Sequence, residues 1–212
     1  MNDGNNYGIQ KSFQTGIFQT QWKNSILKEL FRKTIHLCSA FVPLLLKYYY
    51  WQTIILLFAA LIFYSISEIL RLKGKTIPLV SKITEVAARK RDENKFVLGP
   101  VTLVIGIICA SLLWAPDKAA MGIFALAFGD GLASLFGKLF GRVHIPFTQG
   151  KTACGSLTCF FAVYVSSFAV CRSALVSLII ALTAMLVEVI PMKDLDNVVI
   201  PVLVGAMGTL LL

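Results

Sequence analysis

Phe128-Gly-Asp-Gly-Leu-Ala-Ser-Leu-Phe-Gly-Lys-Leu-Phe-Gly-Arg-Val-His-Ile-Pro-Phe-Thr-Gln-Gly-Lys-Thr-Ala-Cys-Gly-Ser156 leaves one apolar segment and enters the next. Asp130 stands between Gly129 and Gly131 near the end of the first segment. A carboxylate at the edge of a membrane span is expensive and marks function by default. Its flanking glycines let other groups approach the backbone closely. Ala133, Ser134, Gly137 and Gly141 continue a small-residue face at helical spacing, and Lys138, Arg142, His144 and Lys151 follow before Gly155-Ser156. A carboxylate, an opened backbone and several cations suit a metal-bound polyphosphate. The plainer alternative is a small-xxx-small helix-packing face followed by a positive-inside loop, which leaves Asp130 unexplained.

Composition places this stretch in lipid. Of 212 residues, 57% are hydrophobic and only 15% charged, with a mean hydropathy of +0.75; soluble domains carry about 25% charge. Apolar runs recur to the last residue, as in an all-α polytopic membrane protein. The net charge of +9 does not point to nucleic acid, because the basic residues cluster between apolar runs as membrane insertion requires. Residues 1–33 are polar and basic, without the short apolar core and cleavage site of a signal peptide. The five cysteines form no CxxC pair and read as small apolar packers.

In chain order, 1–16 is Asn/Gly/Gln-rich and reads as loose. From 17 to 33, Phe18, Trp22, Ile26 and Leu30 fall four apart among lysines, predicting an amphipathic helix in the headgroup region. Residues 1–33 thus form a cytoplasmic arm, and 34–212 one membrane-embedded domain. Seven spans are expected there: about 34–47, 52–70, 97–114, 119–136, 153–171, 174–190 and 198–212. Tyr48-Tyr49-Tyr50-Trp51 marks the far interface. Leu79, Val80, Ile83, Val86 and Ala87 suggest a second interfacial helix within the polar stretch 71–96.

Orientation follows from Lys and Arg. The N-terminal arm, 71–96, 137–152 and 191–197 share one side and hold 17 of the 20; Lys47, Lys118 and Arg172 lie opposite. The N-terminus is therefore expected in the cytoplasm and the C-terminus outside. Arg32, Lys33, His36, Glu68, Arg71, Glu93, Lys95, Asp130, Lys151, Glu188, Asp196 and Asn197 then all fall at the cytoplasmic face. A soluble nucleotide and a lipid headgroup meet at such a place.

Phosphoryl transfer asks for a divalent cation, donors to phosphate oxygens and a positioned nucleophile. Asp130, Glu188 and Asp196 are candidate hard-oxygen ligands for Mg²⁺ or another divalent cation. Lys151, Arg32 and Lys33 are candidate phosphate clamps, and His36 is either a base or nucleotide contact, or a structural histidine. Glu68 and Arg71, three apart on a helix, either join the site or pair with each other. Gly150-Lys151-Thr152 resembles the end of a P-loop, but Ile145 stands where its first glycine belongs and no strand precedes it. Asp130-Gly131-Leu132-Ala133 opens like the CDP-alcohol phosphotransferase motif, yet Ser134, Gly137 and Gly141 replace its arginine and further aspartates. The terminal signature of phosphatidate cytidylyltransferases is absent.

Taken together, Arg32-Lys33…His36, Glu68…Arg71, Phe128 to Gly141, Gly150 to Ser156 and Glu188…Asp196-Asn197…Pro201 resemble the membrane family of dolichol kinase, phytol kinase and CTP-dependent diacylglycerol kinase. The resemblance implies a polytopic kinase that phosphorylates a lipid alcohol, commonly from CTP. It implies nucleotide and metal contacts at Asp130, Lys151, Gly155, Ser156, Asp196 and Asn197, with Gly129 and Gly131 framing the aspartate. Gly131 departs from relatives that carry a bulkier residue there. The competing readings are a CTP:lipid-phosphate cytidylyltransferase and a transporter. Transporter sites lie near the bilayer midplane, where these spans are apolar.

Overall fold

The computed structural model describes residues 22–75, 77, 80, 84, 88, 92, 95–148 and 150–212. The arm 1–16, the first turn of the amphipathic helix (17–21), Glu93 and most of the second interfacial helix (Leu79, Ile83, Val86, Ala87) lie outside them. The described residues are helical, with one isolated bridge between His144 and Thr152.

Helix α1 covers residues 22–38 and passes 33 without a break. A short 3₁₀ turn, Ser39–Phe41, joins it to α2 (Val42–Tyr48). The extended backbone of Tyr49 ends α2, and α3 (Tyr50–Leu72) returns. Then come α4 (Gly99–Leu113), α5 (Pro116–Phe140), α6 (Ala153–Cys171), α7 (Ala174–Val189) and α8 (Asp196–Leu211). Among the described residues, α3, α5 and α6 are long and apolar enough to cross a membrane; α4, α7 and α8 are shorter and equally apolar.

Local chemistry sets these ends. Pro100 and Pro116 occupy first turns, where their missing N–H groups cost nothing. Thr152 and Ser173 cap α6 and α7 by accepting from Gly155 N and Val176 N. Arg172 takes a left-handed conformation (φ 56°) to close α6.

The bundle is organised around α5. Its apolar window is 61% buried, against 22% for α3 and 28% for α6, so α5 is the axis and the other two face outward. Ile123, Leu126 and Met121 of α5 meet Val163 of α6, Ile180 of α7, and Ile200 and Val204 of α8 in the core. Apolar side chains also cover the outside: Ile55, Ile62 and Phe63 on α3, Phe161 and Val165 on α6, and Leu175 and Leu186 on α7 are exposed. In water such a surface is a liability; against lipid tails it is solvated.

Because lipid is as apolar as leucine, helices there associate by close packing of small residues. A Cβ added to Gly122 would overlap the carbonyl of Pro201, so α5 and α8 touch backbone to backbone. Pro201, inside α8, offers no N–H to the carbonyl four residues back, that of Asn197. That carbonyl lies against Gly106 of α4, where any side chain would collide with it.

Candidate functional site

Midway along α5 the backbone widens into a π-helical turn, Ala125–Asp130. Such turns are rare and favour functional positions. Here the turn ends on Asp130, whose buried carboxylate is directed at α1. Lys33 Nζ donates to Asp130 Oδ2 at 2.5 Å, and His36 Nδ1 lies 3.3 Å from the same oxygen. All three side chains are buried. Lys33 and His36 are three apart on α1, so they share the face that meets α5.

A second clasp holds α1 against the C-terminal half of α5. Glu29 Oε1 accepts from Ser134 Oγ and from Arg32 Nη2, each at 2.5 Å, and Lys138 Nζ donates to the carbonyl of Ser25 at 2.7 Å. Burial by itself would raise the Glu29 pKa, but Arg32, the Ser134 hydroxyl, Lys33 and Lys138 outweigh it and hold the carboxyl below its ordinary value. A group depressed in the folded state adds stability above its unfolded pKa and loses it as pH falls through the folded value. Stability of the detergent-solubilised protein should therefore drop in the acid range below the usual carboxylate pKa, and Glu29→Gln should flatten that part of the profile. Identical acid profiles for the two proteins would remove Glu29 from the clasp.

The loop between α5 and α6 folds back on itself. Ile145 N donates to Lys151 O at 2.8 Å and Ala153 N to Val143 O at 2.9 Å, with Gly150 at φ 97° in the turn. Left-handed backbone of this kind favours glycine. The hairpin delivers Lys151 to the start of α6, whose first backbone N–H groups form an anion-friendly end. Lys151 Nζ pairs with Glu188 Oε1 at 3.0 Å and also donates to the Glu188 carbonyl. Ser156 Oγ donates to Glu188 Oε2 at 3.3 Å.

Two cavities meet at Asp130. A polar cleft of about 490 Å³ opens between α1, the C-terminal half of α5, the hairpin and the α7–α8 turn. Its walls carry five Lys or Arg (Arg32, Lys33, Lys138, Lys151, Lys193) against four carboxylates (Glu29, Asp130, Glu188, Asp196). A recess of about 40 Å³ lies between α1, the start of α4 and the start of α8. Arg32, Lys33, Asp130 and Asp196 border both.

Of the residues proposed from sequence, Arg32, Lys33, Asp130, Lys151, Gly155, Glu188 and Asp196 line the cleft, and His36 and Asn197 line the recess. Gly129, Gly131 and Ser156 border neither. A Cβ on Gly129 would press on Val163 of α6, whereas one on Gly131 would make ordinary contact with Leu37. Asn197 Nδ2 donates to Gly99 O and Thr102 Oγ1, fastening α8 to α4. Glu68 and Arg71 pair bidentately, and Glu68 also accepts from Val97 N, which anchors the segment entering α4.

Among the described residues no three His, Cys, Asp or Glu side chains gather at one point. Glu188 is held by Lys151 and Ser156, while Asp130 and Asp196 border both cavities. Such a pair fits Mg²⁺, which is commonly held by one or two carboxylates plus substrate phosphates. Sequence reasoning passed over Glu29, whose position three and four residues before Arg32 and Lys33 was the available signal.

A helical bundle with an apolar outer surface, and a polar cleft at one end around a buried Lys–Asp–His group, defines a membrane-embedded protein. Comparison with known proteins narrows the class. The chain is 30% identical over 142 residues to a rice (Oryza sativa) chloroplast protein named probable phytol kinase 1, covering 58% of this chain and 44% of that one. It is 31% identical over 141 residues to an uncharacterized protein of Methanocaldococcus jannaschii, covering 64% and 69% respectively. With the dolichol kinase of Saccharomyces cerevisiae it shares 32% identity over 105 residues, 47% of this chain and 19% of the yeast protein. The chain belongs to the polyprenol/phytol kinase-like family. It thus spans less than half the length of the rice and yeast relatives. No protein-family model matches it, and no solved structure matches it.

Proposed function

We propose that the protein is an integral-membrane lipid-alcohol kinase that transfers the γ-phosphate of a nucleotide, CTP on the family resemblance, to the hydroxyl of a polyprenol, another isoprenoid alcohol or diacylglycerol. The observation that carries this reading is the placement of Asp130: a buried carboxylate, held by Lys33, at the junction of a cationic cleft and a second cavity. Phosphoryl transfer requires such a junction, because donor and acceptor must reach one point from two sides.

Arg32, Lys33 and Lys151 neutralise the phosphates, and the N–H groups at the start of α6 add donors without charge. Asp130 and Asp196 would hold Mg²⁺, which when bound supplies charge neutralisation at the β- and γ-phosphates. The acceptor oxygen forms a bond to the γ-phosphorus as the bridge to the β-phosphate breaks, and the nucleoside diphosphate leaves. The hydroxyl proton passes to Asp130 or His36. A loose transition state asks little of that base, so charge and position dominate.

The membrane arrangement we infer has seven spans: α2 with the end of α1, then α3 to α8. The arm 1–33 and the cleft are cytoplasmic and the C-terminus external, on the basic asymmetry. Reporter fusions at Leu212 and in the 115–118 turn should both read external; a cytoplasmic signal at Leu212 would mean an even number of spans.

Label transfer tests the reaction itself. With CTP labelled at the γ-phosphate, the lipid gains label and CDP is released. Label reaching lipid only from the α-phosphate, with pyrophosphate released, would instead establish a cytidylyltransferase. No labelling with CTP or ATP across alcohols would point to a non-enzyme.

A further inference from the structure

The two cavities at Asp130 differ in size and wall chemistry. The cleft has five cations against four carboxylates and a volume within the ordinary range for ligand sites. The recess holds about 40 Å³. A triphosphate has room only in the first. Ile35, Val97, Pro100 and Leu103 give the recess an apolar wall. Its volume suits the hydroxyl-bearing end of an alcohol. A larger apolar groove of about 920 Å³ runs between α5 and α6 along Phe136, Phe140, Leu157 and Phe161, but Asp130 does not border it.

We propose that the recess between α1 and the start of α4 is the acceptor port: the hydroxyl end of a neutral lipid alcohol enters along Ile35, Pro100 and Leu103 and meets Asp130 from the side opposite the nucleotide. This rests on the kinase reading. The port gives the reaction its direction: the hydroxyl oxygen bonds the γ-phosphorus, the proton goes to Asp130 or His36, and the diphosphate departs through the cleft. Glu68 acts from a distance, since its bonds to Arg71 and Val97 N hold the segment that forms the port's wall.

Gly99 supplies the test. It borders the recess, and a Cβ built there meets no described atom within 4 Å, so a side chain can be introduced at the port's edge. Gly99→Phe sets a ring at that edge and narrows the port. In the full-length protein, Gly99→Phe should raise KM for a single-chain isoprenoid alcohol by about tenfold or more, with nucleotide affinity within about twofold of wild type. A diazirine placed near the hydroxyl of the same alcohol should label Ile35, Pro100 or Leu103 in the wild-type chain, which decides the matter if the Phe variant does not fold. An unchanged KM in a folded Gly99→Phe protein, or label on Phe136 and Phe161 instead, overturns the port and leaves the kinase standing. A wild-type protein that phosphorylates no alcohol overturns both.

Discussion

Asp130→Asn is expected to cut phosphoryl transfer by about a thousandfold or more, equivalent to roughly 4 kcal/mol of transition-state stabilisation. The substitution barely changes volume, but it removes a carboxylate proposed to hold the metal and to border the acceptor. It also strands Lys33, which is buried and donates to that carboxylate at 2.5 Å. Breaking one side of a buried pair costs about 3–5 kcal/mol because the remaining charge loses its partner. Loss of activity alone would therefore be ambiguous. The companion variant Lys33→Met/Asp130→Asn removes both charges, so its thermal stability should recover much of the loss while transfer stays absent. Wild-type turnover in the stable double variant would reduce the Lys33–Asp130 pair to a packing device. Stability equal to wild type in Asp130→Asn alone would show that the buried pair is not formed.

Much of this arrangement was written in local chemistry. The span read as 153–171 is helix α6 with those bounds, and 174–190 is α7 to within a residue. The ends are marked by residues that act on their own neighbours: Thr152 and Ser173 as caps, Arg172 in a left-handed turn, Pro100 and Pro116 in first turns. The gathering of Arg32, Lys33, Asp130, Lys151, Glu188 and Asp196 at one end was legible too, because alternating spans return every second loop to the same face. Partner choice was not. Asp130 and Lys33 are 97 positions apart, and no spacing distinguishes Lys33 from Lys151 as its partner. At Glu188, sequence shows a carboxylate but not the Lys151 ammonium and Ser156 hydroxyl that bond to it.

The glycines around Asp130 carry the same lesson. Whether Gly129 and Gly131 face a ligand or a helix depends on the rotation of α5, and the π-turn at Ala125–Asp130 alters that rotation with no local signal. They face α6 and α1 respectively. Gly137 and Gly141 stand on the small-residue face and are close-approach positions; Gly155, which the resemblance implies as a nucleotide contact, packs closely as well, and all three line the cleft. The packing and functional readings of the small-residue face were therefore compatible: tight α5–α6 contact is what places Lys151 beside the cleft.

Lys151→Met is expected to lower kcat/KM for the nucleotide by about a hundred- to a thousandfold, the usual consequence of removing one preorganised donor from a developing anionic centre. Met keeps most of the alkyl stem and removes the charge, so the hairpin bonds from Ile145 and Ala153 should persist. The lysine's pairing with Glu188 allows a sharper contrast. If Glu188 only positions Lys151, Glu188→Gln leaves the ammonium in place with a weaker partner, and kcat/KM should fall by about tenfold with the Mg²⁺ dependence unchanged. If Glu188 instead holds the metal, the same substitution should shift the Mg²⁺ requirement to much higher concentration and cost as much as Asp130→Asn. The double variant Lys151→Met/Glu188→Gln separates the cases further. Residues acting as a unit are not additive, so a positioning Glu188 adds nothing once Lys151 is gone. A full additional loss in the double variant, or wild-type nucleotide use by Lys151→Met, would take Lys151 out of the phosphate site.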